Sequence, residues 1–337
     1  MTPHATEQIL RHVRDDGTAL DVVGIGNALV DVLSHESEDF IRANDLVKGA
    51  MTLVETDRAG ALYEAMGPGI EVSGGSAANT AAGVASFGGR AAYLGKVFDD
   101  QLGLVFAHDM RSNGVVFRAS PATDGPPTGR CLIVVTPDAE RTMNTYLGAS
   151  AHFGPEDVDA ELVELARYTF LEGYLFDRAE AKAAYRKASE IAHGARRKVA
   201  LTLSDTFCVE RHVDEWRDLV VDQVDVLFAN DAELRALYDV HLDAAVERAR
   251  DEVELTCVTL GPEGSLLVTS EGTVEVPPQP VEVVDTTGAG DLYAAGVLHG
   301  LAQGLPLPEC GRLGSLAASA VIGHTGARPG VSLAQLA

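Results

Sequence analysis

Two threonines, a Gly-Ala-Gly and an acid stand directly ahead of a small-residue segment in VDTTGAGDLYAAG, residues 284–296. Gly288 and Gly290 free the backbone to take positive φ and to approach a ligand closely. The helix that follows, expected to start near Asp291, leaves the N–H groups of its first turn without intrahelical partners. Gly288, Ala289 and Gly290 therefore form a nest of donors with the positive end of a helix dipole behind it, which is an anion site. A carboxylate at Asp291 is wasted against an anion unless it orients and deprotonates a hydroxyl that attacks it. That division of labour suits phosphoryl transfer, where a protein mostly positions groups and stabilises charge. A plain glycine-rich turn, with an acid favouring the helix dipole, also accounts for the pattern when it is taken alone.

Two other phosphate motifs fail. GIGNAL (24–29) has Leu29 where a dinucleotide fingerprint needs its third glycine. LGKV (94–97) has Val97 in place of the hydroxyl residue, and Arg90 stands where the first glycine of a phosphate loop belongs. The formal net charge of -24 argues against nucleic acid or an anionic membrane as partner. It does not exclude a polyanionic ligand, because a local cluster of N–H groups outweighs the average field. Cys131, Cys208, Cys257 and Cys310 are far apart and form no CxxC, so reduced thiols are expected rather than a zinc site. The start, MTPHATEQILRHVRDD, lacks the apolar core of a signal peptide, and no apolar run is long enough to span a bilayer. A soluble cytoplasmic protein is expected.

The elements that must position these residues are legible as alternation. A short helical extension is expected over 1–18, then a buried strand in LDVVGIGNALVDVL (20–33), bent at Gly24 and Gly26. GAMTLVE (49–55) reads as a short strand. VSGGSAANTAAGVASFGG (72–89) reads as a strand end, a Gly-Gly turn and a helix of alanines and glycines; AAYLGKVFDDQLG (91–103) as a strand and a helix start. VVFRAS (115–120) and GRCLIVVTPDAERTMNTYLGAS (129–150) alternate like strands, with a turn at Pro137-Asp138. Beyond that point helices are expected over 155–167, 178–195, 209–221, 231–239 and 242–252. Strands are expected over 168–175, 198–205, 224–230, 257–264 and 264–270, with two last helices after VDTTGAGD and after Cys310. Such alternation argues a three-layer α/β/α domain with a mostly parallel central sheet. The strand-rich pieces near 28–54 and 115–137 do not fit it, and can form a small separate sheet. A chain of 337 residues suits one such large domain.

With these pieces in place, the chain resembles the ribokinase-like (PfkB) family of carbohydrate and nucleoside kinases. VDTTGAGDLYAAG looks like the C-terminal signature of that family, and SGGSAANTAAGVASFGG with LGKVFDDQLG resembles its N-terminal signature. GIGNALVD resembles the first strand of adenosine kinases, and FANDAE (228–233) the family's N-x-x-E motif. The match runs in order from about residue 20 to about 330. It implies one kinase domain over 1–337, with a β-sheet lid from 28–54 and 115–137 that closes over the acceptor. It also implies ATP and Mg²⁺, with a monovalent cation such as K⁺ in some members, and lid sheets that pair between subunits in some homodimers. By resemblance, Asp291 is the general base, and Gly288, Ala289 and Gly290 the anion hole. Asn230 and Glu233 organise Mg²⁺ and phosphates, largely through water. Thr259, Gly261 and Gly264 line the ATP site, and Asp285 and Thr287 stand where some members bind the monovalent cation. Asp31 binds a pair of sugar hydroxyls in a pocket also lined by Asn27, Gly74, Gly75 and Asn79.

The chemistry of these side chains fits most of those roles. A carboxylate accepts two hydrogen bonds at once, so Asp31 can clasp a vicinal diol, and Asn79 offers both a donor and an acceptor. Plainer readings stand beside them: Asp31 as a strand-end acid facing water, Glu233 as a first-turn acid on its helix. Arg141 can reach a phosphate from the lid hinge or pair with Glu140 or another surface acid. Tyr174 or Phe176 can stack a base or simply pack, and His324 lies near the expected adenine end or is structural. The segments 24–33 and 72–80 contain no lysine or arginine, so a neutral acceptor fits better than a sugar phosphate. The leading expectation is an ATP-dependent nucleoside kinase acting on adenosine. A sugar kinase for ribose, fructose or a keto-deoxy acid is the alternative, and a non-catalytic sensing module on the same fold a further one.

Overall fold

The structure, a computed structural model, describes residues 9–138 and 140–337. Residues 1–8, which carry the first part of the expected N-terminal helix, lie outside the described residues. Strand β1 (Leu20–Ile25) opens a large sheet, and the chain then leaves it for β2 (Leu29–His35), β3 (Met51–Leu53) and β4 (Ile70–Gly74). It returns as β5 (Ala91–Leu94) and leaves again for β6 (Gly129–Val135) and β7 (Arg141–Tyr146). From β8 (Ala166–Glu172) onward it stays, through β9 (Lys198–Thr202), β10 (Val226–Asn230), β11 (Leu255–Thr259), β12 (Ser265–Thr269) and β13 (Gly272–Val276). The excursions build a second sheet of five strands in the order β3-β7-β6-β2-β4; the large sheet has eight in the order β13-β12-β11-β10-β9-β8-β1-β5. The large sheet is parallel from β5 to β11 and ends in the antiparallel pair β12 and β13.

Each central strand feeds two cores because successive side chains point to opposite faces. Val22, Phe170, Ala200 and Phe228 pack with the helices Ser76–Ser86, Ala289–Ala302 and Leu307–Ile322 on one face. Val23, Leu171, Leu201 and Leu227 pack on the other with the helices Ala179–Gly194, Val213–Gln223 and Asp231–Tyr238. The result is an α/β/α sandwich with a small sheet beside it. No helix among the described residues is long and apolar enough to cross a membrane.

Several expected elements differ. Residues 115–120 form no strand of the small sheet; Val116 makes a single bridge to β5, and Phe117 is buried against Tyr93 and Phe106 in the main core. The apolar residues that read as a lid strand are drawn instead to the larger hydrophobic interior, and β4 and β7 take part in the small sheet from outside the expected segments. The helix expected at 155–167 shrinks to Ala160–Leu165, because Pro155 opens a separate 3₁₀ turn and β8 starts at Ala166. The one expected at 209–221 is two, Thr206–Arg211 and Val213–Gln223, meeting at His212. The last helix starts at Leu307, behind Pro306, so Cys310 lies inside it. Strand β13, not expected, pairs antiparallel with β12 as an edge. The four cysteines are all buried and unpaired.

Candidate functional site

In a parallel α/β sheet the carboxyl ends of the strands, at the point where strand order reverses, form a natural crevice. Here β1 has β5 on one side and β8 on the other, and the chain leaves for the small sheet at that end. A cavity of about 560 Å³ lies there, between the ends of the large-sheet strands and the small sheet. The small sheet contributes alternate residues to its wall, among them Leu29, Asp31, Cys131, Ile133 and Met143, as a period of two requires.

Gly288 to Asp291 line this cavity. Gly288 caps the helix Ala289–Ala302 with φ +79°, and a Cβ there would meet Ala327 at 2.9 Å, so only glycine fits the turn. The first intrahelical bond runs from the Leu292 amide to the Gly288 carbonyl. The Ala289 amide is engaged with the Thr286 carbonyl at 3.2 Å, which leaves the amides of Gly290 and Asp291 as the first-turn donors ahead of that bond. The Asp291 carboxylate accepts from Ser76 Oγ (2.6 Å) and from Asn79 Nδ2 (2.8 Å). Burial raises its pKa, and those two hydrogen bonds and the charge of Arg328 restrain the rise. Ser76 and Asn79 reach it because the helices Ser76–Ser86 and Ala289–Ala302 pack at close range. A Cβ on Gly83 would stand 2.6 Å from Ala295 Cβ. The alanine-rich segment is thus a spacer that sets an acid against its orienting groups, and Thr80 Oγ1 adds a bond to the Asp291 carbonyl at 3.0 Å.

At the small-sheet side of the cavity, Asp31 lies against Gly74, whose missing side chain makes room for the carboxylate. No protein group donates a hydrogen bond to it among the described residues. Burial raises its pKa to about 6, Arg328 and Arg141 oppose the rise, and Asp291 adds to it. Gly75 has φ +95° and abuts the Asn27 carbonyl, where a Cβ would stand at 2.2 Å. Asn27 lines the cavity but its polar atoms are engaged: Nδ2 donates to Glu172 Oε1 (2.9 Å) and Oδ1 accepts from Ser150 Oγ (2.9 Å). Asn79 turns its amide to Asp291, and its Oδ1 is buried without a partner.

At the other end, Asn230 and Glu233 form a reciprocal cap on the helix Asp231–Tyr238. The Glu233 amide donates to Asn230 Oδ1 at 2.8 Å, and the Asn230 amide and Nδ2 donate to the Glu233 carboxylate. Both residues line the cavity. Burial raises Glu233 to about 7, against the pull of the Asn230 amide. Thr259, at the end of β11, also lines it; Gly261 and Gly264 do not, and instead take positive φ in the turn to β12. Arg141 reaches across from β7 and donates to Asp285 and to Thr287 Oγ1 (3.2 Å), so its partner is neither Glu140 nor a surface acid. Tyr174 and Phe207 lie side by side on the cavity wall with ring centroids 6.1 Å apart. Phe176 is core, stacked on Trp216 at 3.9 Å, and His324 is occupied by the Gly330 amide at 3.0 Å.

Ser76, Glu172, Phe207 and Arg328 escaped the sequence reading. Ser76 had a usable signal: it sits three residues before Asn79 on one helix face. Glu172 is buried at the end of β8, holds the amides of Asn27 and Ala77, and is pushed up to about 7 by burial against those bonds. Arg328 donates to the Ala78 carbonyl (2.9 Å) and to Ser73 Oγ (2.8 Å). No local pattern marks an arginine whose partners lie some 250 positions away.

Amide donors and a hydrogen-bonded acid that share one cleft suit transfer of a phosphoryl group to an alcohol, and comparison with known proteins agrees: this is a kinase that phosphorylates a hydroxyl group. The sequence profile of the pfkB family carbohydrate kinases matches residues 69–333, and the chain belongs to that family. Among solved structures it is similar to the adenosine kinase from Sinorhizobium meliloti, with 52% identity, TM-score 0.87, and 94% of this chain and 98% of that one covered. It is also similar to a probable sugar kinase from Rhizobium etli CFN 42, with 46% identity, TM-score 0.88, and 95% and 98% covered. Fructokinase-1 of Oryza sativa subsp. japonica is 29% identical over 242 residues, 69% of this chain and 75% of that one. Membership of a kinase family implies ATP as co-substrate.

Proposed function

We propose that the protein transfers the γ-phosphoryl group of ATP to the 5′-hydroxyl of a nucleoside, with adenosine the preferred acceptor. Asp31 clasps the vicinal ribose hydroxyls, with both carboxylate oxygens open to accept from them. That grip sets the 5′-hydroxyl toward Asp291, which Ser76 and Asn79 hold in one orientation and whose raised proton affinity suits it to take a proton. The amides of Gly290 and Asp291 hold the charge on the migrating group. Asn230 and Glu233, whose carboxylate is already committed to the helix cap, would hold the Mg²⁺ of the nucleotide through water, and the ion would supply positive charge against the phosphates. The small sheet acts as a lid over the acceptor, excluding water from the transfer.

The observation that carries the nucleoside reading is the cavity wall beyond Asp31. Leu29 and Ile133, on the small-sheet face that carries Asp31, line the cavity there with Leu147, an apolar surface suited to the flat face of a base. The similarity to the adenosine kinase from S. meliloti supports it. A sugar kinase is the second reading, favoured by the similarity to fructokinases. Initial rates of ADP release with adenosine, inosine, guanosine, ribose and fructose separate the two. Adenosine is expected to give the highest kcat/KM by about tenfold or more, the scale set by a base held in shape-matched apolar contact. Turnover of ribose or fructose with none of any nucleoside would end the nucleoside reading.

A further inference from the structure

The family resemblance sets an expectation of a monovalent cation at Asp285 and Thr287, and the donors around Asp285 do not fit it. Both carboxylate oxygens of Asp285 are filled from the protein. Oδ1 accepts from the Thr287 amide (3.0 Å) and Thr287 Oγ1 (2.7 Å); Oδ2 accepts from the Gly326 amide (2.8 Å) and from Arg141 Nη1. The pair is enclosed, with the Arg141 side chain 11% and the Asp285 side chain 6% exposed. A guanidinium keeps its charge at any working pH and is more weakly hydrated than a metal ion or an ammonium, so it tolerates such a site. We propose that the guanidinium of Arg141 occupies the cation position beside the anion hole, so that the transfer needs no monovalent metal ion.

The charge has a definite origin in the fold. Arg141 is the first residue of β7 in the small sheet, whereas Asp285 and Gly326 belong to the loops that flank the anion hole on the large domain. Arg141 also donates to Thr287, the residue immediately before Gly288, so it braces the turn that presents the first-turn amides. Burial alone would raise Asp285, but the Gly326 amide, the two Thr287 bonds and the Arg141 charge outweigh it and hold the carboxylate ionised. A diffusible cation would have to displace a charge already tethered by the chain. Arg141 is thus a positioning residue, acting on the phosphate through the loop it braces and through its charge.

The test uses the full-length enzyme with ATP and whichever acceptor the panel above identifies, so its outcome does not depend on the acceptor being adenosine. Initial rates are measured with K⁺, Na⁺ or tetramethylammonium as the sole monovalent cation at one ionic strength, which removes general screening as a variable. Rates are expected to agree within about twofold, since no metal is needed to balance a charge the arginine already balances. Activation by K⁺ of about tenfold or more would overturn the proposal. The Arg141→Ala variant is expected to lose at least about tenfold in kcat and to regain part of it with millimolar guanidinium or K⁺, while urea, the neutral isostere of guanidinium, restores nothing. Arg141→Lys, which keeps a charge on a similar stem, is expected to retain more activity than Arg141→Ala and to show little response to K⁺. Failure of both cations to restore Arg141→Ala, in a variant that melts within a few degrees of the parent, would show that the position needs something other than positive charge.

Discussion

Asp31→Asn should make the protein more stable and a poorer enzyme at once. In the structure Asp31 is a half-buried carboxylate on the cavity wall with no protein donor among the described residues, and desolvation lifts its pKa from 3.8 to about 6. A folded state that holds a proton that much more tightly than the unfolded chain is penalised when the group ionises. At about 1.36 kcal/mol per pH unit the penalty reaches about 3 kcal/mol above pH 7. It is fully present above the folded value near 6 and vanishes below the unfolded value near 4, where both states are protonated. An asparagine of the same shape carries no charge but buries an amide with imperfect partners, which returns about 1–2 kcal/mol of that gain. The net gain of about 1–2 kcal/mol at pH 8 corresponds to roughly 1–3 °C in melting temperature for a chain of this size. The same variant loses two charge-assisted hydrogen bonds to the acceptor, so its KM should rise about 10²-fold or more. Thermal scans of parent and variant at pH 8 and pH 4.5, with acceptor kinetics at saturating ATP, measure both effects. A variant no more stable at pH 8, or equally favoured at pH 4.5, would refute the account of Asp31 as a charge strained by its setting. An unchanged acceptor KM would remove it from the binding site.

The same acids set the pH dependence of the reaction. Asp31 and Asp291 must both be ionised, so kcat/KM should fall as the pH drops through about 6, and a profile flat down to pH 5 would contradict the assignment. Asp291→Asn should bind ATP normally, measured by calorimetry, and lose turnover by ~10² or more, the usual scale for a positioned base. Gly83→Ala should destabilise by about 1–3 kcal/mol in denaturant melts, because its Cβ would stand 2.6 Å from Ala295 and force two helices apart. Since those helices carry Asn79 and Asp291, kcat should fall further than KM rises; a variant of parental stability and kcat would show that the close approach is not what orients the acid.

The sequence by itself determined the alternation of strands and helices, the glycine turn ahead of Asp291 and the Gly-Gly bend at 74–75. These are local properties: a period of two or 3.6, a residue without a Cβ where φ is positive, an asparagine three residues before a glutamate at a helix start. The N-x-x-E pair illustrates both the strength and the limit of such reading. Its spacing was visible, yet the structure ties the two side chains first to one another, and what either does for a ligand follows only after that cap is satisfied.

Tertiary structure alone decided which buried polar groups meet. Ser76 and Asp291 are 215 positions apart, Arg141 and Asp285 are 144 apart, and Arg328 reaches Ser73 over 255. Nothing in the flanking residues encodes those partners, because a buried donor or acceptor is satisfied by whatever the packing of two helices or two sheets brings within about 3 Å. The same competition moved 115–120 out of the small sheet: an apolar strand pattern states that residues want to be buried, not which interior will bury them. Chemistry-bearing types and turns are written along the chain, whereas their pairing is a property of the folded interior, where each polar group must find its partner or stay unpaired at a cost.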